Sequence, residues 1–416
     1  MSSINIPIMQ IAVRDYIKSS WLLALKKKDV DKNFLLPYDY IPPCIEGDLI
    51  NLYYWDTYFT NLGLYLDGLT QYAFNNIENL KYCLKKFNCV PNMCRLNGAD
   101  YASQPPLLFM MVADYFKHTG DISFLKNSYE ALCREYVFWQ TKRISPNGLA
   151  KYGTNQQNEE IMVESANDFS QRTGMDVSSL TVKEKIEMFH NRVAEGESGE
   201  DHTPRFQGKA NEVNPIDLNS YLYLFEKTMS YFANIISRSD EVNLWMQISI
   251  DRKNKIFEFC YDAETGLFFD YNYVTKQKSY IVCAACYVPF IAEISSDVRA
   301  VEYINNKLLL PYGVASCVEM PSDGLTYQWG YPNIWAPHNY LAYSANKKVN
   351  NKLVSSEIAK RYLNTVAKEF MNSKKLYEKY DGLIGGPATL NEYGTPEMLG
   401  WTAGVYNYFY DVLYKK

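Results

Sequence analysis

The sequence predicts an all-α chain in which successive helix pairs close into a toroid, and three observations lead there. Apolar residues recur at spacings of three and four along several long segments, as in helices that bury one stripe. Convincing period-two alternation, the mark of half-buried strands, is scarce. A chain of 416 residues built from helix pairs buries one stripe of every helix only if the pairs close on themselves, which leaves the loops at one end free to build a site.

Taken in order, Lys26-Lys27-Lys28 is expected on a solvated helix face. Leu125, Tyr129, Leu132, Tyr136 and Trp139 form the first clear stripe. Residues 153–216 then break the pattern: they are polar and contain Glu159-Glu160, Glu164, a lysine-glutamate run at 183–187 and the acidic stretch from Glu195 to Asp201. A stretch that long inside one domain spanning 1–416 is expected to be an active-site insertion, with only Thr181 to Val193 forming a short helix. Leu218, Leu222, Phe225, Met229, Phe232 and Ile236 make a longer stripe, and Ile358, Tyr362, Val366 and Phe370 another. Cys283 and Cys286 form a C-x-x-C, but their flanks are apolar and neither a second cysteine pair nor a nearby histidine completes a zinc site, so both are expected in the core. Clusters such as Ile41-Pro42-Pro43, Ser145-Pro146-Asn147-Gly148 and Pro311-Tyr312-Gly313 punctuate the helices.

Composition removes several function classes. With 42 Lys+Arg against 47 Asp+Glu the net charge is −5, which disfavours a nucleic-acid partner. No stretch approaches the roughly 20 apolar residues of a membrane helix, and Arg14, Asp15 and Lys18 interrupt the start where a signal peptide needs an unbroken apolar core. Nine cysteines, an odd number thinly spread, point to reduced thiols and a cytoplasmic location. No P-loop, Ser-His-Asp order or metal-spaced histidine pair is present, so no metal and no organic cofactor is expected. Aromatics reach 15%, with 36 tyrosines; rings with an apolar face and a polar tip suit sugars, although an AT-rich genome accounts for the excess equally well.

Four segments mix aromatics with carboxylates or amides beyond what core packing requires. They are Tyr53-Tyr54-Trp55-Asp56-Thr57-Tyr58-Phe59, the run from Pro91-Asn92 to Gln104-Pro105-Pro106, Tyr327-Gln328-Trp329-Gly330-Tyr331-Pro332-Asn333-Ile334-Trp335-Ala336-Pro337, and Glu392-Tyr393 with Gly400-Trp401-Thr402. Aromatic platforms beside hydrogen-bonding carboxylates fit a small polyhydroxylated ligand, which offers C–H faces and a ring of hydroxyls.

These segments, together with Ser103-Gln104-Pro105-Pro106, Pro215-Ile216-Asp217-Leu218-Asn219, Glu378-Lys379-Tyr380-Asp381 and Gly-Trp-Thr-Ala-Gly-Val at 400–405, resemble the signatures of trehalases, glycoside hydrolase family 37. The resemblance runs from about Asp48 to Val405 and implies a single-domain (α/α)6 barrel, a six-hairpin toroid, that hydrolyses a small α-glucoside with inversion. The family's general acid lies in a Glu-Ser-Gly-Trp-Asp segment, and two stretches compete for it. Glu197-Ser198-Gly199-Glu200-Asp201, followed by Thr203-Pro204-Arg205-Phe206 as in the related family 63 glucosidases, stands nearer the family spacing from Asp217 than Glu164-Ser165-Ala166-Asn167-Asp168 does. Asp201 is therefore assigned as acid, with Asp168 the competitor.

By the same resemblance Glu378 is the base that activates water. Trp55, Asp56, Asn92, Gln104, Glu164, Gly199, Glu392, Trp329, Trp335 and Trp401 are the substrate-binding set. Direct displacement needs one carboxyl protonated near the leaving oxygen and another about 6.5–9.5 Å away, and burial among aromatics is expected to raise the pKa of the acid. Departures accompany the match: Asp48, Ala102 and Met162 stand where the family has arginines, Gly330 replaces the aspartate of Gln-Trp-Asp, and Glu200 replaces the tryptophan before the acid. Three pocket cations are thus expected to be missing. The rival functions are a clan-related α-glucosidase acting on a non-trehalose glucoside and a catalytically silent carbohydrate-binding protein.

Overall fold

A computed structural model describes residues 7–28, 36–94, 102–173, 175–388 and 395–415. In chain order its helices are α1 (Ile8–Ser20), α2 (Tyr54–Leu66), α3 (Thr70–Phe87), α4 (Leu108–Thr119), α5 (Ile122–Lys142), α6 (Glu159–Thr173), α7 (Val182–Glu197), α8 (Ile216–Ile235), α9 (Ser239–Phe259), α10 (Val288–Ile291), α11 (Val298–Leu308), α12 (Ala336–Lys348), α13 (Lys352–Ser373) and α14 (Gly400–Tyr414). Helices α2, α4, α8, α10, α12 and α14 pack in succession, and α14 returns to α2, so they close an inner ring. The α10 turn is short and continues a 3₁₀ turn over Ala284–Tyr287. Helices α1, α3, α5, α9, α11 and α13 lie outside this ring, and the six inner and six outer helices form the predicted toroid.

Burial follows the layer. Every residue of α2 from Tyr54 to Leu64 is buried, as an inner helix with neighbours on all sides requires, whereas α13 buries mainly one stripe that includes Ile358, Tyr362, Val366 and Phe370. The closing α2–α14 contact is made possible by paired glycines. A Cβ on Gly63 would stand 2.9 Å from Gly404 Cα, and one on Gly404 would fall 1.9 Å from the Phe59 carbonyl. Helix ends obey local chemistry: Asp121 Oδ1 accepts from Phe124 N at 2.9 Å to start α5, and Thr181 and Glu184 form a reciprocal capping box at the start of α7.

The insertion is more ordered than the sequence suggests. The helix expected over Thr181 to Val193 appears as α7, but α6 supplies a second, and the two pack as a hairpin over the barrel mouth. Lys26-Lys27-Lys28 is not helical; it follows the end of α1, and Lys26 instead pairs with Tyr40 in a β-bridge. Cys283 and Cys286 are buried in the core. Strands among the described residues are two or three residues long, and one pair matters to the site. Asn333–Trp335 runs antiparallel to Lys379–Asp381 with Trp335 opposite Lys379, so the Gln-Trp-Gly segment and the Glu-Lys-Tyr-Asp segment are held edge to edge.

Candidate active site

The mouth of the toroid holds a cavity of 490 Å³ whose wall includes Trp55, Asp56, Asn92, Gln104, Gly199, Asp201, Trp329, Glu378 and Trp401. Residues spread over most of the chain therefore converge. Each is fixed by a local device. Gln104 Oε1 accepts from Trp55 N at 2.9 Å and Asn92 O accepts from Tyr54 N at 2.9 Å, so the Pro91-Asn92 and Ser103-Gln104 segments satisfy the open first turn of α2. Asn92 Oδ1 is buried without a hydrogen-bond partner, an acceptor that a sugar hydroxyl would satisfy.

The loop carrying Asp201 is anchored by two acidic residues that precede it. Glu197 is fully buried, and its two oxygens accept from Arg143 Nε at 2.6 Å, Arg143 Nη2 at 2.8 Å, Ser103 N at 2.7 Å and Gly153 N at 2.7 Å. Glu200, in place of the expected tryptophan, accepts from His338 Nε2 at 3.0 Å and stands 3.6 Å from Arg205. Burial opposes its charge, but Arg205 and the His338 hydrogen bond hold its carboxyl below the ordinary glutamate range. Between these anchors Gly199 adopts φ +81°, and a Cβ there would lie 2.7 Å from the Trp55 ring, so this position needs glycine on both counts.

Asp201 accepts from Gln328 Nε2 at 3.1 Å on Oδ2 and from Trp329 Nε1 at 3.3 Å on Oδ1. Glu378 is buried and paired with Lys379 Nζ at 2.8 Å; that ammonium also reaches Gln328 Oε1 at 3.5 Å and lies 4.8 Å above the Trp335 ring. A chain of side chains, Glu378 to Lys379 to Gln328 to Asp201, thus joins the two carboxylates. Trp401 Nε1 donates to the Glu378 carbonyl at 3.2 Å, and the rings of Trp55, Trp329 and Trp401 meet at centroid distances of 5.9, 6.0 and 6.2 Å. Asp56 is buried against this wall, and desolvation, followed by the nearby Glu378 charge, pushes its carboxyl well above the ordinary aspartate range.

Several expectations need correction. Trp335 does not line the cavity: it is fully buried behind Trp329, stacked on it at 3.7 Å, and supports the wall. Glu164 is exposed and off the cavity, because α6 turns Ser165, Asp168, Phe169 and Arg172 inward and leaves Glu164 about 100° away from Ser165 around the helix. Glu392 lies outside the described residues. Asp201 is not enclosed by aromatics, since its side chain is 41% exposed to the open cavity. Asp168 lines the same cavity from α6, where it is exposed.

The cavity also has cations that motif matching missed. Ala102 lines it, Met162 is buried elsewhere and Asp48 borders a neighbouring cavity, as their loss of the family arginines would allow. Arg172 and Arg192, from α6 and α7, nevertheless line the same cavity as Asp201 and Glu378. They fall in the insertion, outside every recognised segment; the only signal for them was helical spacing in a stretch too polar to show a stripe.

Comparisons with known proteins agree with this geometry. The Trehalase family profile matches residues 26–413. A trehalase of Homo sapiens is 27% identical over 397 residues, covering 90% of this chain and 67% of the relative. Neutral trehalase Nth1 of Saccharomyces cerevisiae superposes with a TM-score of 0.77 at 25% identity, over 97% of this chain and 80% of the other. A family 63 mannosylglycerate hydrolase of Thermus thermophilus shares the fold, with a TM-score of 0.64 at 14% identity over 94% and 99% of the two chains. Helical barrel, carboxylate-lined cavity and family match together make this chain a glycoside hydrolase that belongs to the trehalase family.

Proposed function

We propose that the chain hydrolyses a small α-glucoside, trehalose or a related disaccharide, by direct displacement, with Asp201 as general acid and Glu378 as general base. The observation that carries this is the link from Glu378 through Lys379 and Gln328 to Asp201, which holds two carboxylates on the wall of one sugar-sized cavity. Inversion requires that pair to stand about 6.5–9.5 Å apart, leaving room for the attacking water. Trp55, Asp56, Asn92 and Gln104 would hold the sugar whose bond is cleaved, with Trp329 and Trp401 forming its apolar bed. No step needs a metal or organic cofactor. Ala102, a small apolar wall residue where the family has an arginine, supports a second reading in which the leaving group is not the glucose of trehalose.

Both readings are separated by a panel of trehalose, kojibiose, nigerose, maltose and isomaltose, with the released glucose followed by NMR before mutarotation. Inverting hydrolysis of trehalose gives one β-glucose and one α-glucose per bond cleaved. Preference for another member points to the second reading; binding without release of glucose from any member leaves only a carbohydrate-binding protein.

A further inference from the structure

We propose that Arg172, Arg192 and His202 form the leaving-group subsite of the cavity and set which second polyhydroxylated ring the enzyme accepts. The proposal rests on Asp201 being the general acid. An acid that protonates the leaving oxygen stands at the boundary between the two sugars. One side of Asp201 is occupied by Gln328 and Trp329, and Arg172 Nη2 approaches Oδ2 at 3.6 Å. Arg172 and Leu49 line both the catalytic cavity and an adjoining one of 1020 Å³ bordered by Glu46, Asp48 and Glu397. Arg172 therefore sits where the two spaces meet, on the path of a departing group.

The chemistry of this wall is that of hydroxyl recognition. Arg192 is held by Glu195 Oε2 at 3.0 Å, which fixes the plane of a guanidinium with several remaining N–H groups. Asp168 and Asp201 share the wall with the two arginines, so the charge is mixed and favours a neutral polyhydroxylated group over an anion. His202 adds a donor and an acceptor. Its two ring nitrogens are buried without partners, its backbone is in the left-handed region at φ 59°, and its ring rests against Tyr327 at 4.8 Å. Burial and the charges of Arg192 and Arg172 push its imidazole down to about 4, so the ring is neutral. A buried ring nitrogen without a partner is costly, and rotation of the ring toward the cavity it lines would let a leaving-group hydroxyl satisfy it. None of the three residues occupies a position where the family resemblance expects a cation; Arg172 and Arg192 bring cations to a cavity in which Asp48, Ala102 and Met162 replace the family arginines, and His202 adds neutral hydrogen-bonding groups.

The test compares kcat/KM for the best disaccharide of the panel with that for α-glucosyl fluoride, whose single-atom leaving group cannot reach this wall. In Arg172→Met and His202→Phe the disaccharide-to-fluoride ratio should fall about 10–100-fold, the effect of one or two lost hydrogen bonds, and Arg172→Lys should recover part of it. Arg172 is half-exposed, so its variants should remain folded even if those at His202 do not. An unchanged ratio, or an equal fall on both substrates, overturns the subsite. A wild-type protein that hydrolyses neither substrate overturns the acid assignment itself, and the subsite with it.

Discussion

Gln328 grips Asp201 through a single amide nitrogen, with Nε2 lying 3.1 Å from Oδ2 and 3.2 Å from the main-chain oxygen. Its other amide atom faces Lys379 at 3.5 Å, and Lys379 holds Glu378 at 2.8 Å. All but Asp201 in this chain are buried, so the Asp201 carboxylate is positioned by groups that have little freedom to move. This explains how a half-exposed carboxylate can still be presented in one orientation.

The first prediction follows directly. Gln328→Ala removes both bonds to Asp201 while leaving the Trp329 contact. A misplacement of about 1 Å in a reacting group can cost on the order of 100-fold, so kcat should fall about 10–100-fold with KM changed less than threefold. A change confined to KM, measured by steady-state kinetics, would show that Gln328 binds sugar instead of positioning the acid.

Asp201 and Asp168 line one cavity from different elements, and their substitutions should separate them. Loss of a general acid typically costs about 10²–10⁴ in rate. Asp201→Asn should lose that much on a disaccharide and recover on an activated aryl α-glucoside, whose leaving group needs little protonation. Asp168→Asn should lose less than tenfold on both. The opposite pattern moves the acid to α6. Glu378→Gln should be inactive on either substrate, because water still has to be activated.

Much of the fold is legible in the sequence, and the boundary is physical. The stripes at Leu125 to Trp139 and Ile358 to Phe370 announced α5 and α13 because an outer helix buries one face. Trp55 stood out because sugar chemistry places aromatics beside carboxylates and amides in short segments; Gln328 lay in such a segment without being singled out, and Glu378 was reached only through the family resemblance. Helix α6 was not: its exposed, polar residues carry no apolar period, and only folding turns Arg172 inward while Glu164 faces out. Trp335 was misplaced for a related reason, since sequence does not distinguish the front of a stacked tryptophan pair from its back.

Gly199→Ala tests the loop that precedes Asp201. A methyl group would meet the Trp55 ring at 2.7 Å, and φ +81° is strained for any L side chain. The protein should be destabilised by about 1–3 kcal/mol, and kcat/KM should fall more than the stability loss alone accounts for, since Trp55 moves with the substrate wall. Thermal melts and kinetics on the same preparation check both; an active variant of normal stability would mean the loop yields freely.

The last prediction concerns pH and the frame beneath the site. Glu135 on α5 is buried and accepts a hydrogen bond from Tyr54 Oη, which in turn accepts from Leu108 N at 2.9 Å, tying α5 and α4 to the first turn of α2. Burial raises the Glu135 carboxyl to about 8 from an ordinary 4.5, outweighing the opposing Tyr54 hydrogen bond. The folded protein therefore holds a proton that the unfolded chain releases above about 4.5, and the sign follows: stability from this group is fully present below 4.5, declines as pH rises toward 8, and changes little beyond. Glu135→Gln keeps a neutral side chain of the same shape, so it should match the wild type near pH 4.5 and become the more stable protein by pH 8, with melting temperatures across that range as the measurement. Equal slopes for the two proteins would show that Glu135 is ionised in the fold and that the Tyr54 hydrogen bond compensates its burial.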